Sequence, residues 1–405
     1  ADGGISSFQA FAISLAARVG IGNVFGVAAA LLMGGPGAIF WMWVVALVGM
    51  GTAFFEATLA QIFKVKHSDG SFRGGPAYYM KRGMKNRVLA NIFAVITVVT
   101  CGIVITSVQS NAIAGTLTSA FGETAKQPLQ GAGGFSAAQL TIAGLIFVFS
   151  AMVIFGGVRT VARVTEWMAP IMATIYVIMV AIICLMNLSQ FGTVLGQIFT
   201  SAFSTDATVG GLGGGILAAM INGTQRGLFS NEAGMGTSPH AHAMAEVKDP
   251  AMQGFVAMSG VFITLLICTS TALVILLTGV HKQPGLESTA ITQEAFDMVF
   301  GKAGIIFLQV SIFFFAFTTI IGNYIFGEMN VRSLFGKVGV YVFRAVVIGS
   351  VFVGAIFAVT FVWEITDTVT GLMVIPNIIA LIFLAPQTKA AYKNFLKKRS
   401  AGELD

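Results

Sequence analysis

The chain has 405 residues, 56% of them hydrophobic and only 10% charged, with a net charge of +6. A soluble domain carries about 25% charged residues, so this composition excludes a water-soluble globular protein. A mean hydropathy of +0.86, with apolar runs along the whole length, also excludes a soluble domain on a single anchor.

Crossing a hydrocarbon core of about 30 Å takes roughly 20 apolar residues. Ten runs qualify, at residues 7–33, 37–63, 88–120, 138–156, 167–188, 209–229, 251–279, 303–327, 340–362 and 364–385. No alternating strand pattern recurs, so the expectation is an all-α, polytopic membrane helix bundle. With the amino-terminal end inside, the outer segments hold only Lys126, Lys282 and Lys302, and Arg18 lies within the first span. Every other Lys and Arg, Arg226 included, falls on the inner side. The positive-inside rule then puts both ends in the cytoplasm. The chain starts with Ala1 rather than Met, and the expectation is that the native amino terminus lies upstream.

Ten spans divide into two sets of five, about 1–190 and 205–388, within one transporter domain that ends in a basic tail at 389–405. Five spans per half give the halves opposite orientations. Glycine-interrupted helices at matching positions of two such halves point to a transporter binding site. The first span is interrupted by Arg18-Val19-Gly20-Ile21-Gly22-Asn23. The sixth carries Gly210-Gly211-Leu212-Gly213-Gly214-Gly215 and, further on, polar Asn222-Gly223-Thr224. Close packing by small residues is the plainer reading of that second cluster.

A helix that ends in mid-membrane exposes carbonyls on one side and amides on the other, which is tolerated only inside protein or along a cavity. Amides of Ile21, Gly22 and Asn23 would open the outer half-helix, whose positive dipole end attracts a carboxylate. Carbonyls near Ala16 and Val19 would end the inner half and suit a sodium ion, with the Asn23 amide oxygen as a further ligand. A kinked helix without a ligand fits the same residues. In span eight, Thr318, Thr319 and Asn323 follow Phe313, Phe314 and Phe315. Hydroxyls and carbonyls suit a hard cation, while Thr in membrane helices also back-bonds to the preceding turn. In span three, Gln109 lies in the polar run from Thr106 to Asn111, placed either to meet a substrate or to bond another helix.

Arg18, Glu56, Arg226, Glu232, Glu328 and Asp367 lie in or beside spans and must pair or face water, because an unpaired charge at mid-bilayer costs at least about 3 kcal/mol. By position, Glu56, Arg226, Glu232 and Glu328 fall toward the cytoplasmic ends, and Asp367 near the outer end of span ten. Structural pairs or gates are expected of them more than proton relays. The three cysteines, Cys101, Cys184 and Cys268, sit in apolar runs and form no disulfide framework. His240-Ala241-His242 lacks partners at metal spacing, and Gly213-Gly214-Gly215 is not followed by the Lys-Ser/Thr of a phosphate loop. No Ser/His/Asp or paired-carboxylate set suggests an enzyme. Lys389 to Arg399 reads as a juxtamembrane tail near anionic lipid.

Several motifs are familiar. Gly-Gly-Ile-Ser-Ser-Phe-Gln-Ala at 3–10, the Gly20-Ile21-Gly22-Asn23 break, Gly34-Gly35-Pro36-Gly37-Ala38-Ile39-Phe40-Trp41-Met42-Trp43 and Gly74-Gly75-Pro76-Ala77-Tyr78-Tyr79 resemble the alanine/glycine:cation symporter family. So do Gly371-Leu372-Met373-Val374-Ile375-Pro376-Asn377 and, most specifically, Arg226-Gly227-Leu228-Phe229-Ser230-Asn231-Glu232-Ala233-Gly234-Met235-Gly236. Together they cover nearly the whole chain. The resemblance implies a LeuT-type 5+5 inverted repeat with broken helices one and six, and one more helix ahead of these ten. It implies a sodium site formed by carbonyls of Ala16, Val19 and Phe315 and hydroxyls of Thr318 and Thr319. Backbone near Ile21 and Gly22 would hold the substrate carboxylate. Two positions depart from the family pattern: Ile21 stands where Thr is common and makes the pocket more apolar, and Asn323 stands where Trp is often found.

The expected function is therefore sodium-coupled symport of alanine or glycine into a prokaryotic cell across its plasma membrane. The expected substrate contacts are Ile21, Gly22, Asn23, Gln109, Gly214, Asn222 and Asn323. No cofactor beyond the coupling ion and no nucleic acid is expected; the partners are the amino acid, sodium and the bilayer. Rivals are a proton-coupled symporter of the same fold, with Glu56 or Asp367 titrating, and an uncoupled channel or sensor.

Overall fold

The computed structural model describes residues 4–67, 70–120, 127–128, 134–204, 215–357 and 360–404, without the side chains of 360–364. Helix α1 (Ser7–Arg18) starts behind a capping box, in which Ser6 Oγ accepts from Gln9 N and the Gln9 side chain accepts from Ser6 N. It leads across a single 3-10 turn, Ile21–Asn23, into α2 (Phe25–Gly34), and the two halves meet at 62°. Helix α3 (Gly37–Ile62) returns. An antiparallel hairpin of β1 (Val65–Lys66) and β2 (Phe72–Arg73), short enough to escape a search for alternation, then precedes α4 (Pro76–Arg82). The third span runs from α5 (Arg87–Val99) through a π turn at Thr100–Val104 into α6 (Ile105–Ala120).

After α7 (Ala137–Phe155) and α8 (Gly157–Met186) comes α9 (Leu188–Ala202), a helix between the expected fifth and sixth spans. Then follow α10 (Gly215–Asn231), the short α11 (Pro239–Ala243), α12 (Pro250–Thr278) and α13 (Ser288–Phe300). Helix α14 (Lys302–Ile356) is two helices in one run, joined at Gly336, whose φ of 67° is not helical. Helices α15 (Thr360–Phe383) and α16 (Ala385–Ser400) complete the chain. The basic tail is thus a helix, docked by Lys398 on Asp249 at 3.0 Å and by Phe395 against Phe255.

Among the described residues, seven helical runs, with α5 and α6 taken as one, are long and apolar enough to cross a membrane, or eight with the bent α1–α2 pair counted as one span. The protein is a multi-pass membrane bundle. Helix α14 lies along α6 and α7, and α12 along α3, while α1 crosses between α8, α12 and α14. Burial follows that plan. The stretch from Ala12 to Ala28 and that from Phe315 to Val331 are buried throughout. Helices α5, α7 and α8 expose Ile92, Val95, Phe149, Trp167 and Ile178, the apolar faces that a bilayer covers. The break between α1 and α2 is therefore at the centre, within a stretch buried on all sides from Ala12 to Ala28.

Candidate transport site

The first break is set by backbone that no helix can use. Val19 N makes the last α1 bond, to Leu15 O at 2.8 Å. Gly20 N turns instead to Arg18 O at 3.1 Å and to Asn23 Oδ1 at 3.0 Å. Only glycine fits at 20, since a Cβ there would lie 2.7 Å from Thr319 Oγ1 and 2.9 Å from the Gln109 amide. Among the described residues, no backbone N–H reaches the carbonyls of Ala16 and Val19. Both point at Thr319 Oγ1, at 2.9 and 3.1 Å, and so does Phe315 O at 2.9 Å. A hydroxyl has one proton and satisfies one of these three oxygens at a time. Thr318 Oγ1 lies 3.1 Å from Phe315 O and 2.9 Å from Phe314 O, so its hydroxyl is spent on its own helix. The result is a buried cluster of hard, neutral oxygens.

On the other side of the break, Ile21 N donates to Gln109 Oε1 at 3.1 Å. Asn23 braces the turn with every polar group it has. Its Oδ1 holds Gly20 N, its Nδ2 donates to Cys268 Sγ at 3.3 Å, and its carbonyl accepts from Thr271 Oγ1 at 2.8 Å. Helix α10 closes the site through Ser230 Oγ, which donates to Gly22 O at 3.1 Å, and through the Phe229 ring, 2.7 Å from where a Gly22 Cβ would stand.

Span six carries an interruption within the described residues, further along than its glycine cluster. Gly210 to Gly214 lie outside the described residues, and Gly215 is the first residue of α10. The described break follows Asn231, where residues 232–238 form a buried, non-helical stretch before α11. Glu232 (φ 50°), Gly234 (φ 93°) and Gly236 (φ 81°) turn the chain there. Gly234-Met235-Gly236 repeats the spacing of Gly20-Ile21-Gly22, a signal present in the sequence after a denser glycine run. Glu56 Oε1 on α3 accepts from Gly236 N at 3.0 Å and from Asn377 Nδ2 at 2.6 Å, and Asn377 Nδ2 also donates to Gly234 O at 2.9 Å. Tyr79 donates to the Asn377 amide oxygen. Arg18 ties the two breaks together, donating to Ser238 Oγ at 2.6 Å and Ala257 O at 3.2 Å, with Glu232 and Glu56 supplying opposing charge.

Arg226 is also displaced from its expected place. It lies not near the cytoplasmic end but level with Gly26, outward of the first break, and forms a two-pronged pair with Asp367 at 3.0 and 3.1 Å. Span six runs inward and the helix continues past residue 229, so Arg226 sits a turn outward of Phe229. Gln225 Nε2 adds a third bond to Asp367 at 3.3 Å.

Of the residues expected at the site, Ala16, Val19, Ile21, Gly22, Asn23, Gln109, Phe315, Thr318 and Thr319 are gathered around the first break. Asn323 lies one turn beyond Thr319. Its Nδ2 donates to Thr319 O at 3.1 Å, and its buried Oδ1 has no partner among the described residues. Asn222 does not join them. Its amide bonds its own helix at Ala218 O, two turns (about 12 Å) before the Ser230 that meets the break. Phe229, Ser230, Cys268, Thr271 and the Glu56–Asn377 clamp were not read as site residues from sequence.

Two interrupted helices meeting around buried polar backbone, in a bundle of apolar helices, define a transport protein of LeuT-type 5+5 fold with broken helices one and six. A crystal structure of MhsT in complex with L-phenylalanine shares this fold, with a TM-score of 0.66 and 13% identity over 95% of this chain and 89% of that one. A sequence model of the sodium:alanine symporter family matches residues 1–405, and the chain belongs to that family. It is 36% identical to the sodium/alanine symporter AgcS of Methanococcus maripaludis, over 97% of this chain and 85% of that protein. It is 40% identical to the probable sodium/glutamine symporter GlnT of Bacillus subtilis, over 98% and 80%.

Proposed function

We propose that the protein couples sodium entry to uptake of a small neutral amino acid, alanine or glycine, by alternating access. The observation that carries this reading is the Thr319 hydroxyl, ringed by the carbonyls of Ala16, Val19 and Phe315. Two of those carbonyls end the mobile half of a broken helix and the third belongs to span eight. A cation there joins the two elements and orders the break. Thr319 supplies the hydroxyl ligand, Thr318 a weaker one, and the Asn323 carboxamide oxygen a further acceptor one turn away. The substrate carboxylate takes the amides of Ile21 and Gly22, displacing Gln109 Oε1 from Ile21 N. Phe229, packed against Gly22, limits the space beside it, which favours alanine or glycine over the glutamine named for one relative.

The driving force is sufficient. One charge moved through 100 mV yields about 2.3 kcal/mol, and a tenfold sodium gradient adds about 1.4 kcal/mol. Their sum of about 3.7 kcal/mol supports several-hundred-fold accumulation per ion. The test is radiolabelled alanine uptake into proteoliposomes under an inward sodium gradient, repeated with choline in place of sodium. Accumulation above equilibrium only with sodium is the expected result. A second reading, proton coupling, is favoured by Glu56, which is buried with one carboxylate oxygen lacking a partner among the described residues. Uptake that follows a pH gradient and ignores sodium would select it.

A further inference from the structure

Tyr176 of α8 is fully buried beside the transport site, and its hydroxyl and its ring reach different parts of that site. We propose that Tyr176 is a positioning residue for transport, holding the turn at Ile21–Asn23 through Thr271 of α12; the assignment rests on the function proposed above. The Tyr176 hydroxyl lies 2.8 Å from Thr271 Oγ1, which in turn lies 2.8 Å from Asn23 O and 3.2 Å from Ile267 O. Each hydroxyl carries one proton, and that count sets the direction of the chain. If Thr271 donated to Tyr176, Asn23 O would lose this donor and the tyrosine proton would have no acceptor among the described residues. With Tyr176 donating to Thr271, both protons are used, and the threonine proton goes to a carbonyl, Asn23 O being the nearer. A donor arriving at Thr271 polarises its O–H and strengthens the bond it makes onward.

The ring fixes where that hydroxyl stands. Phe315 meets it edge-on at 5.4 Å, Phe307 stacks on it at 6.1 Å, and Phe296 of α13 lies at 6.1 Å. A buried tyrosine needs a hydroxyl partner in any fold, and a purely structural role would end there. Here the chain of bonds ends on the turn that presents the Ile21 and Gly22 amides. The ring packs on the residue whose carbonyl meets the Thr319 hydroxyl. One side chain of a continuous helix thus touches both the amide side and the oxygen side of the site. Removing the hydroxyl alone should disturb the amides and leave the oxygens in place.

The experiment measures radiolabelled alanine uptake by the full chain in proteoliposomes, with Tyr176→Phe, Thr271→Val and the two combined. Tyr176→Phe keeps the ring and should raise the KM for alanine roughly fivefold. The sodium concentration for half-maximal uptake, taken at saturating alanine, should stay unchanged. Thr271→Val should raise the KM at least as much, and the combined variant should be no worse than Thr271→Val alone, because the tyrosine acts through the threonine. In a Thr271→Ser background, which keeps the hydroxyl, Tyr176→Phe should retain its effect. A tyrosine that only fills the core would lower the melting temperature and leave the KM as it is, and that result overturns the proposal. So does a combined variant whose KM rises by the product of the two single effects. A wild type that accumulates alanine without sodium overturns the proposed coupling instead, and the KM comparison still decides the role of Tyr176. No alanine uptake by the wild type overturns both.

Discussion

The two helix breaks share a Gly-x-Gly spacing and differ in what holds them. Gly20 to Asn23 is surrounded by neutral groups: three carbonyls, the Thr319 hydroxyl, and the amides of Gln109 and Asn23. Residues 232–238 are held by Glu56, with Arg18 and Glu232 close by. A place that takes in and releases a cation gains from neutral oxygens, because fixed charge would hold the ion too tightly or repel it. A joint that must keep its shape gains from charge, since breaking one buried pair strands the other partner. On the proposed function, the first break serves the ligand and the second the frame, with Arg18 linking them.

The largest effect is expected at the frame. Glu56→Ala removes the acceptor of Gly236 N and Asn377 Nδ2 and leaves Arg18 short of opposing charge. A cost of about 3 kcal/mol is expected for two buried donors stripped of their shared acceptor. It should appear as a large drop in melting temperature by fluorescence-detected size exclusion. Glu56→Gln keeps an acceptor oxygen and should lose clearly less. Wild-type stability in Glu56→Ala would mean that the second break is not a fixed joint.

At the first break the effect should fall on function rather than stability. Thr319→Val preserves shape and removes the hydroxyl that meets both halves of the site. The sodium concentration for half-maximal uptake should rise roughly 100-fold, or about 2.7 kcal/mol, with a smaller drop in melting temperature than in Glu56→Ala, since one buried carbonyl loses its donor. Thr318→Val should raise it less than about tenfold, because that hydroxyl bonds its own helix. Equal effects of the two substitutions would contradict the geometry that separates them. Gln109→Leu acts in the opposite direction. It strips the Ile21 amide of its partner in the substrate-free state, at about 1–3 kcal/mol. A carboxylate that needs that amide then binds more tightly, so the KM for alanine should fall up to about tenfold. A rise in KM would make Gln109 itself a substrate ligand.

How much of this was legible in the sequence varies by residue. The apolar runs and the Gly20–Asn23 interruption announce themselves, because lipid tolerates no irregular backbone without cover. Thr318 and Thr319 look equivalent in sequence, and only the packing of α14 on α1 shows that 319 faces the break. The second described break, at Gly234-Met235-Gly236, carries the same spacing as the first but stands after a denser glycine cluster, most of which lies outside the described residues. Asn222 was singled out as a polar residue in an apolar helix, but its amide satisfies its own backbone. Arg226 and Asp367 were assigned to opposite ends of their spans. The break after Asn231 accounts for Arg226: α10 is only the outer part of span six, so a residue near its end lies at the break and not at the cytoplasmic face.

That pair gives the smallest predicted effect and extends the contrast upward. Arg226 and Asp367 are charged, like the second break, yet their side chains are 11% and 22% exposed, so solvent screens them. They suit a contact that must open in each cycle. Asp367→Asn keeps the shape and one acceptor oxygen and removes the charge, which should cost about 1 kcal/mol, or roughly fivefold in the closed-to-open ratio of the outer face. Cys268 supplies the readout, because its thiol accepts from Asn23 Nδ2 within the first break and is only 5% exposed. With Cys101 and Cys184 replaced by alanine, a membrane-impermeant thiol reagent added outside should label Cys268 roughly fivefold faster in Asp367→Asn than in its parent. Sodium with alanine should slow labelling in both, if substrate lies between the thiol and the outside. An unchanged rate would show that the Arg226–Asp367 pair is a structural tie between α10 and α15, and that the outer side is closed by Phe229 alone.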